Sequence, residues 1–463
     1  YEMLRSLVGS EMCIRDRFKE MLSFKTKFGW GIGTLTVSLM FQANGLLLLV
    51  YLTDFVNMQA ATAGLLIGLS KIYDAVTDPV MGRISDRTNT RWGKRRPYVL
   101  LGTLLCALSF LLLFNLALFS ESENIILITL FALILNATGY TIFNVPYLAM
   151  PSEITNDYDA RTDLMSYRVM AVAAGQLGGS ALGPALVVYF GSGAAGHTGM
   201  AMSLALIMIV AGFACVWMTK DAPFAKTVTE KKDEGSFLKQ FRTAFKVKPF
   251  AILLGIKITQ LTGFAVFLGS LPYLFTRIMD LSYNYLGFYF LIQGSVMFIS
   301  QPLWVRIVNS IGKKNGYYLA SLSWGLGALS WMLATSGEGD LGIILRGCFL
   351  GFGAGGLLLV GQSMLPDTMQ YDKETTGQSR EGILAGVYTT VEKLSFAIGP
   401  SILGIMLGMV GYDALLASQS DAVIKMVYFT AGGFPVIALM ISCLFVMIYN
   451  IDQKSLTKEK EYE

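Results

Sequence analysis

The sequence predicts an all-α membrane protein with twelve transmembrane helices arranged in two six-helix halves. Three observations support this fold class: a strongly apolar composition, long unbroken apolar blocks and an internal repeat. Of the 463 residues, 54% are hydrophobic and only 15% are charged, whereas soluble domains average about 25% charged residues. Together with a mean hydropathy of +0.54, this composition excludes a soluble enzyme, a disordered chain and a coiled coil.

Each predicted helix corresponds to an apolar block of suitable length. A hydrocarbon core about 30 Å thick requires about 20 apolar helical residues, and such helices tolerate Gly, Pro and small residues. Twelve blocks meet this requirement, near residues 28–53, 60–82, 97–118, 124–150, 164–191, 198–219, 249–276, 284–307, 316–336, 341–365, 382–410 and 424–450.

The lysine and arginine residues predict how these helices are oriented. They are concentrated after the second block, in residues 83–96, and after the sixth block, in residues 220–248. The hairpins 54–59 and 119–123 contain neither residue. Because cytoplasmic loops carry the excess of Lys and Arg, both termini are expected in the cytoplasm of a bacterium, with the helices in its inner membrane. The net charge of +4 then reflects membrane orientation, and we expect no nucleic-acid partner.

The chain also repeats itself. Met150-Pro151-Ser152-Glu153 follows the fourth block, and Leu365-Pro366-Asp367 follows the tenth, 215 positions later. Gly93-Lys94-Arg95 has a weaker counterpart in Gly312-Lys313-Lys314. Two parallel six-helix halves are typical of major facilitator transporters. We therefore predict halves at 18–219 and 249–450, joined by a cytoplasmic linker at 220–248 and followed by a cytoplasmic tail at 451–463.

Residues 1–17 differ in character from the chain that follows. They contain neither the apolar core of a signal peptide nor a small-residue cleavage site. We interpret them as an artefactual segment, resembling translated sequencing-adaptor sequence, or as a short disordered cytoplasmic tail. Neither interpretation assigns them a function.

The cysteines and the histidine argue against catalysis. Cys106, Cys215, Cys348 and Cys443 stand singly in apolar runs, without the CxxC spacing of metal sites. The one histidine, His197, lies in a loop rich in Gly, Ser and Ala. We therefore predict that the protein is not an enzyme and carries no cofactor.

Charged residues in the second block are the strongest functional signal. Lys71, Asp74 and Asp78 are spaced i, i+3 and i+7, on one helix face, and Thr77 borders that face. An ionisable residue in mid-membrane costs at least about 2.5–3.5 kcal/mol. Two carboxylates and a hydroxyl suit a small cation or one shared proton. The alternative is internal pairing, in which Lys71 only neutralises one aspartate.

Further basic and aromatic residues lie within later blocks and could contact a substrate. Arg and Lys would hydrogen-bond sugar hydroxyls or pair with an anion, and aromatic rings could stack on a sugar. Snorkelling to the interface is the alternative for Lys257, whereas Lys393 lies about three turns inside its block, beyond easy snorkelling. Ordinary packing is the alternative for the aromatic residues. The candidates for the substrate site are Arg168, Lys257, Lys393, Tyr147 and Tyr388, together with Asn144.

Three segments carry a family resemblance: YDAVTDPVMGRISDRTNTRWGKRRPY, YTIFNVPYLAMPSEI and SREGILAGVYTTVEKLSFAIGP. From about residue 25 onward, the chain resembles the glycoside–pentoside–hexuronide:cation symporters. The resemblance implies that Asp74 and Asp78 bind the coupling ion, sodium or a proton, with Thr141 and the Thr77 position contributing. It also implies that Arg168 and Lys393 lie near the sugar.

One departure from the family pattern bears on the substrate. A characterised galactoside carrier of this family has sugar-binding aspartates in its first and fourth spans. Here the first block has no acid between Phe28 and Thr53, and Asn144 stands at the fourth-block position. Because the basic residues remain, we predict an acidic sugar such as a uronate, a glucuronide or a sulfosugar.

A cytoplasmic gate is predicted in the basic turn after the second block. Asp86, together with Arg91, Lys94 and Arg95, would hold the cytoplasmic ends of the N-terminal helices in one state. Positive-inside topology explains the bases of this turn, but it does not explain an acid among them.

The sequence thus predicts a monomeric, cation-coupled symporter of a sugar or sugar derivative, embedded in the lipid bilayer and working by alternating access. The alternatives are a symporter of neutral glycosides or pentosides, a transporter of lysolipid-like amphiphiles, and a membrane sensor that transports nothing. Loss of the cation aspartates would favour a sensor, and this chain retains both.

Overall fold

The structure is a computed structural model that describes residues 22–155, 158–222, 245, 247–376, 380–416 and 418–451. The segment 1–17, most of the predicted linker 220–248 and nearly all of the tail 451–463 lie outside the described residues. Throughout the described part of the chain, the regular structure is helical, which confirms the predicted all-α class.

The helices follow the predicted apolar blocks in order. We number them α1 (Phe24–Asp54), α2 (Ala60–Arg87), α3 (Arg96–Leu113), α4 (Ile125–Ile154), α5 (Tyr158–Leu177, continued by Gly178–Leu182 and Gly183–Tyr189), α6 (Gly193–Thr219), α7 (Lys248–Ile278), α8 (Tyr283–Ile299, bent by 51° into Gln301–Ile311), α9 (Lys313–Ser330), α10 (Asp340–Thr376), α11 (Glu381–Met409) and α12 (Asp421–Ile448).

Within the described residues, nine of these helices are long and apolar enough to cross a membrane, and ten are if the bent α8 counts as one. α2 carries several charges, and α9 has 18 residues of only moderate hydropathy. The predicted number of twelve spans therefore stays a prediction. The bend in α8 precedes Pro302, which opens the second segment; proline cannot donate to the preceding turn and its ring displaces that backbone.

Small residues bring α2 and α11 into close contact. A Cβ atom built on Gly64 would lie 2.6 Å from the Pro400 carbonyl oxygen and 3.0 Å from the Gly404 Cα. Ser401 donates a hydrogen bond to the Gly64 carbonyl at 2.9 Å. Gly408 lies against Ala61 in the same way. We call this contact the glycine seam; it allows the two backbones to approach as small residues do in other membrane helices.

The two ends of the bundle are distinguished by their loops. One end, called the Asp54 end, carries the loops after α1, α7 and α11. The other, called the Arg95 end, carries the loops after α2 and α8. Gly93 and Gly312 have φ values of 95° and 81° at the Arg95 end, a backbone conformation that favours glycine.

Candidate cation and substrate site

The two faces of α2 differ sharply in environment. Leu65, Leu69, Val76 and Val80 are more than half exposed and form the face that lipid would cover. Asp74, on the opposite face, is only 3% exposed. Because successive residues of a helix are turned by about 100°, Lys71 and Asp78 share the inner face with Asp74, as the spacing predicted.

Thr141 of α4 joins the two aspartates. Its hydroxyl lies 2.7 Å from Oδ1 of Asp74 and 3.0 Å from Oδ1 of Asp78. The Thr77 hydroxyl lies 3.4 Å from that of Thr141 and also donates to the carbonyls of Tyr73 and Asp74, each at 3.1 Å. The four residues assigned to the cation site by resemblance therefore form one cluster between α2 and α4.

Lys393 of α11 contacts the other side of both carboxylates. Its ammonium group donates to Oδ2 of Asp78 and lies 3.7 Å from Oδ2 of Asp74. The Lys71 ammonium instead lies over the rings of Phe41 and Tyr140. The ion pairs of these aspartates are thus made by a lysine more than 300 residues away, and not by the lysine of the same helix.

The oxygen cluster is chemically suited to a small cation or a proton. Carboxylate and hydroxyl oxygens are hard ligands of the kind that sodium takes, and two adjacent carboxylates favour the uptake of one proton. Across the described residues, no group of three or more His, Cys, Asp or Glu side chains could hold a metal ion. A metal cation bound here would therefore need the threonine oxygens as well as the two carboxylates.

A second buried cluster joins α7, α10 and α11. Lys257, only 3% exposed, lies with its ammonium group 5.6 Å from the ring centroid of Tyr388. The Tyr388 hydroxyl reaches the Gly361 carbonyl at 3.5 Å. Glu392 hydrogen-bonds to Tyr388 and is in electrostatic contact with Lys257. Lys257 therefore has an acidic neighbour, and Glu392 points away from Lys393.

Arg168 lies on α5, and Asn144 lies on α4, about one turn after Thr141 of the cation cluster. Asn144 is 6% exposed. Arg168 is half-buried, and its Nε atom is buried with no hydrogen-bond partner among the described residues. An unsatisfied buried donor is costly, so this Nε–H lacks a hydrogen bond that a ligand could supply.

Tyr147 is placed differently from the other substrate candidates. Its hydroxyl donates to the Trp30 carbonyl at 2.6 Å and contacts the Thr34 hydroxyl at 2.6 Å. Its ring is stacked on that of Trp30 with a centroid distance of 5.0 Å, and the side chain is fully buried. These contacts are those of helix packing between α1 and α4.

Arg95 organises the predicted gate. Its guanidinium donates to Glu153 at 2.9 Å, to the Ser85 hydroxyl at 2.5 Å and to Asp86, so it joins the ends of α2, α3 and α4. Arg91 and Lys94 are exposed. In the second copy of the repeat, Lys313 forms the corresponding ion pair with Asp367. The Arg95–Glu153 and Lys313–Asp367 ion pairs thus both join residues of the repeated motifs.

A polar network at the Asp54 end was not predicted. Arg277 donates twice to Oδ2 of Asp54, at 3.1 and 2.7 Å, and once to the Ala414 carbonyl at 3.3 Å. Tyr412 and Thr53 donate to Oδ1 of Asp54 at 2.7 and 2.8 Å. The signal in the sequence was Arg277, the one basic residue of the hairpin 277–283. The other charged residue of this hairpin is Asp280.

Comparison with known proteins supports the predicted family. Residues 29–453 match the family described as MFS/sugar transport protein. YagG, a proposed glycoside/cation symporter of Escherichia coli (strain K12), is 28% identical over 430 residues, or 92% of this chain and 91% of its own. The glucuronide carrier protein homolog of the same organism is 26% identical over 94% of both chains. The isoprimeverose transporter of Lactiplantibacillus pentosus is 25% identical over 94% of this chain and 90% of its own.

The fold is similar to that of a solved transporter. The crystal structure of the POT family transporter PepTSo gives a TM-score of 0.65 at 14% identity and covers 93% of this chain and 100% of its own. This likeness concerns the fold alone. Because the family match extends over most of the chain, the protein belongs to the MFS sugar-transport family: it is a multi-pass membrane transporter, and not an enzyme.

Proposed function

We propose that the protein is a cation-coupled symporter that imports a sugar derivative by alternating access. The observation that carries this proposal is the cluster in which Asp74, Asp78 and Thr141 converge while Lys393 contacts both carboxylates. In the predicted architecture, the aspartates belong to the first half and Lys393 to the second. The contacts among Asp74, Asp78 and Lys393 would therefore depend both on ion binding and on how the two halves are arranged.

The geometry suggests how ion binding is coupled to transport. In this arrangement, the Lys393 ammonium supplies one of the two positive charges that two adjacent carboxylates require. A sodium ion or proton arriving at Asp74 and Asp78 competes with Lys393 for the same oxygens. Ion binding then weakens the contact between α2 and α11 and frees Lys393 to interact with substrate. An ion without substrate leaves Lys393 buried without a partner, which disfavours uncoupled leakage.

For alternating access, we take the predicted architecture of twelve spans in two six-helix halves, and the mechanism also needs a contact that opens. The network of Asp54, Arg277 and Tyr412 joins α1 to α7 and to the loop after α11, and we take the Asp54 end as the periplasmic side, closed in this structure. The glycine seam extends this closure along α2 and α11. Both termini and the Arg95 end are then cytoplasmic, the membrane is the bacterial inner membrane, and the monomer is the transporting unit.

The charges of the interior favour an acidic substrate. Four basic side chains, Lys71, Arg168, Lys257 and Lys393, face three acids, Asp74, Asp78 and Glu392, so a bound coupling cation adds to a positive excess. A carboxylate or sulfonate would relieve it through charge-assisted hydrogen bonds. The glucuronide carrier homolog agrees with this class. The isoprimeverose transporter favours a second candidate, symport of a neutral glycoside, in which water and Glu392 balance the bases.

Counterflow in proteoliposomes tests the proposal. Purified protein would be reconstituted and preloaded with methyl glycosides in acid and neutral pairs: glucuronide and glucoside, galacturonide and galactoside, sulfoquinovoside and quinovoside. Labelled glycoside should enter against its gradient, and a sodium or proton gradient should drive its accumulation. Failure of every pair to exchange, with correctly folded protein, would overturn sugar transport. Exchange that ignores both ion gradients would overturn cation coupling.

A further inference from the structure

Lys71 is a membrane-buried cation to which the cation site assigns no role. It lies one turn before Asp74, on the inner face of α2, and is half-buried. A charge at this depth is expensive. The simplest explanation, an ion pair with Asp74 or Asp78, is not what the structure shows, since both acids contact Lys393.

Aromatic rings surround the Lys71 ammonium. Its Nζ lies 5.7 Å from the ring centroid of Phe41 in α1 and 5.9 Å from that of Tyr140 in α4. Over the part of the chain that the structure describes, Lys71 is in electrostatic contact with Asp74 and Asp78 but forms no direct ion pair with either of them. Cation–π contacts stabilise such a group by about 0.5–2 kcal/mol, which leaves its three donors free for a ligand.

Two other mid-membrane cations are held in ion pairs: Lys393 contacts two carboxylates, and Arg346 donates to Glu338 at 2.7 Å. Lys257, like Lys71, is only in electrostatic contact with an acid, but it lies in the cluster of α7, α10 and α11, away from the cation site. An anion that bound Lys393 would first have to displace a carboxylate. An anion that bound Lys71 would break no ion pair.

We propose that Lys71 receives the anionic group of the transported sugar, a carboxylate or a sulfonate, between the rings of Phe41 and Tyr140. This inference rests on the proposed function and deepens it, because it names the residue that selects acidic substrates. Tyr140 also lies under Lys393, at 5.1 Å, so the anion subsite borders the cation site. A bound coupling ion therefore strengthens the attraction for the anion, and ion and substrate bind cooperatively.

The test compares acidic and neutral members of the same sugar pair. The pair that gives the largest wild-type counterflow, for example methyl β-D-glucuronide and methyl β-D-glucoside, is carried into the variants. Lys71→Gln should raise the KM for the acidic sugar about tenfold or more, the scale of one charge-assisted hydrogen bond, and leave the KM for the neutral sugar within about twofold. Lys71→Arg should retain most of the acidic preference.

Lys25→Gln is a matched control. It also removes a lysine that lies over a ring, that of Trp217 at 5.1 Å, but at the Arg95 end, and both KM values should stay unchanged. Equal loss of the two sugars in Lys71→Gln would mark Lys71 as structural and overturn the inference. A wild type that transports only the neutral members would overturn it too, although the proposed symport would stand. If no pair is exchanged, the proposed function fails first.

Discussion

Among the described residues, two ionic contacts join the first six helices to the last six, and they are built differently. At the Asp54 end, one carboxylate meets one guanidinium, and a phenol, a hydroxyl and a backbone carbonyl complete the hydrogen bonds. In the middle of the bundle, two carboxylates share one ammonium and one threonine hydroxyl. The first contact is balanced in charge, whereas the second has an excess negative charge.

In the proposed mechanism, this difference in charge separates a contact that closes one end of the bundle from a contact that senses the coupling ion. The Asp54 network needs no further ligand, because the side chain of Asp54 is 6% exposed and accepts from Arg277, Tyr412 and Thr53. The Asp74–Asp78 pair has one unmet charge that a cation can supply. In the proposed mechanism, the charge-balanced Asp54 network stabilises the closed conformation, whereas the Asp74–Asp78 pair responds to binding of the coupling ion.

The largest effect is expected where the excess charge is removed. Asp78→Asn should abolish gradient-driven accumulation, since Lys393 then balances Asp74 alone and the site no longer attracts a cation. Counterflow without a gradient should survive in part. Uptake into proteoliposomes with an imposed sodium or proton gradient is the measurement. Asp221→Asn, which alters a surface ion pair with Lys25, is the control; wild-type accumulation by Asp78→Asn would show that the cation binds elsewhere.

A smaller effect is expected at the Asp54 end. Arg277→Gln leaves the buried Asp54 carboxylate without its ionic partner, which should cost about 2–3 kcal/mol, below the 3–5 kcal/mol of a fully buried pair because Arg277 is 26% exposed. The closed state should become less populated. A cysteine placed at Ala414 should then react faster with a membrane-impermeant reagent. Unchanged labelling, with unchanged thermal stability, would contradict a closing role.

Removing the Lys393 ammonium should have the third-largest effect. Lys393→Gln leaves two adjacent buried carboxylates without their shared lysine, so their affinity for a cation should rise about fivefold to tenfold, or about 1–1.4 kcal/mol. Substrate accumulation should fall at the same time. Sodium-dependent thermal shifts, repeated over a range of pH, measure this affinity. A weaker ion affinity in the variant would mean that Lys393 helps to build the ion site and does not compete for it.

The smallest effect is expected from a single phenol. Burial, followed by the nearby Asp54 carboxylate, raises the pKa of Tyr412 well above its ordinary value, so the hydroxyl stays protonated and donates at neutral pH. Tyr412→Phe removes this bond while Arg277 and Thr53 remain, which should cost about 1 kcal/mol. Thermal unfolding should show a shift of about one degree that is the same from pH 6 to pH 9. A shift that grew with pH would indicate that the phenol ionises.

The sequence predicted the helices well because apolar blocks of membrane length are a direct signal. It predicted the ends of helices less well where a helix continues past its apolar block. α10 extends to Thr376, beyond the expected end at 365, and α2 extends to Arg87, beyond the expected end at 82. The bend in α8 was missed, although Pro302 marks the position. The twelve spans and the two halves remain predictions.

The cation cluster could be predicted because its members lie close together in α2 or match a family motif. The residues that contact this cluster from distant helices could not be predicted. Lys393 contacts Asp78 across 315 positions, and Tyr412 contacts Asp54 across 358. Helical periodicity places a residue on a face, but it does not indicate which distant helix covers that face. For the same reason, the sequence did not predict the aromatic environment of Lys71. An ion pair with an aspartate of the same helix was the alternative that the spacing indicated.

The glycine seam has a consequence for the speed of the transport cycle. Interlocked side chains must change rotamers before two helices can separate, and tight packing makes such steps slow. At Gly64 and Gly404, backbone lies on backbone, so there is no rotamer to release, and a water molecule entering the gap can satisfy the Gly64 carbonyl that Ser401 gives up. Opening therefore exchanges one weak hydrogen bond for another. Under the proposed alternating access, the seam would add little to the barrier between the two facing states, and the ionic contacts, which respond to the coupling ion, would set most of it.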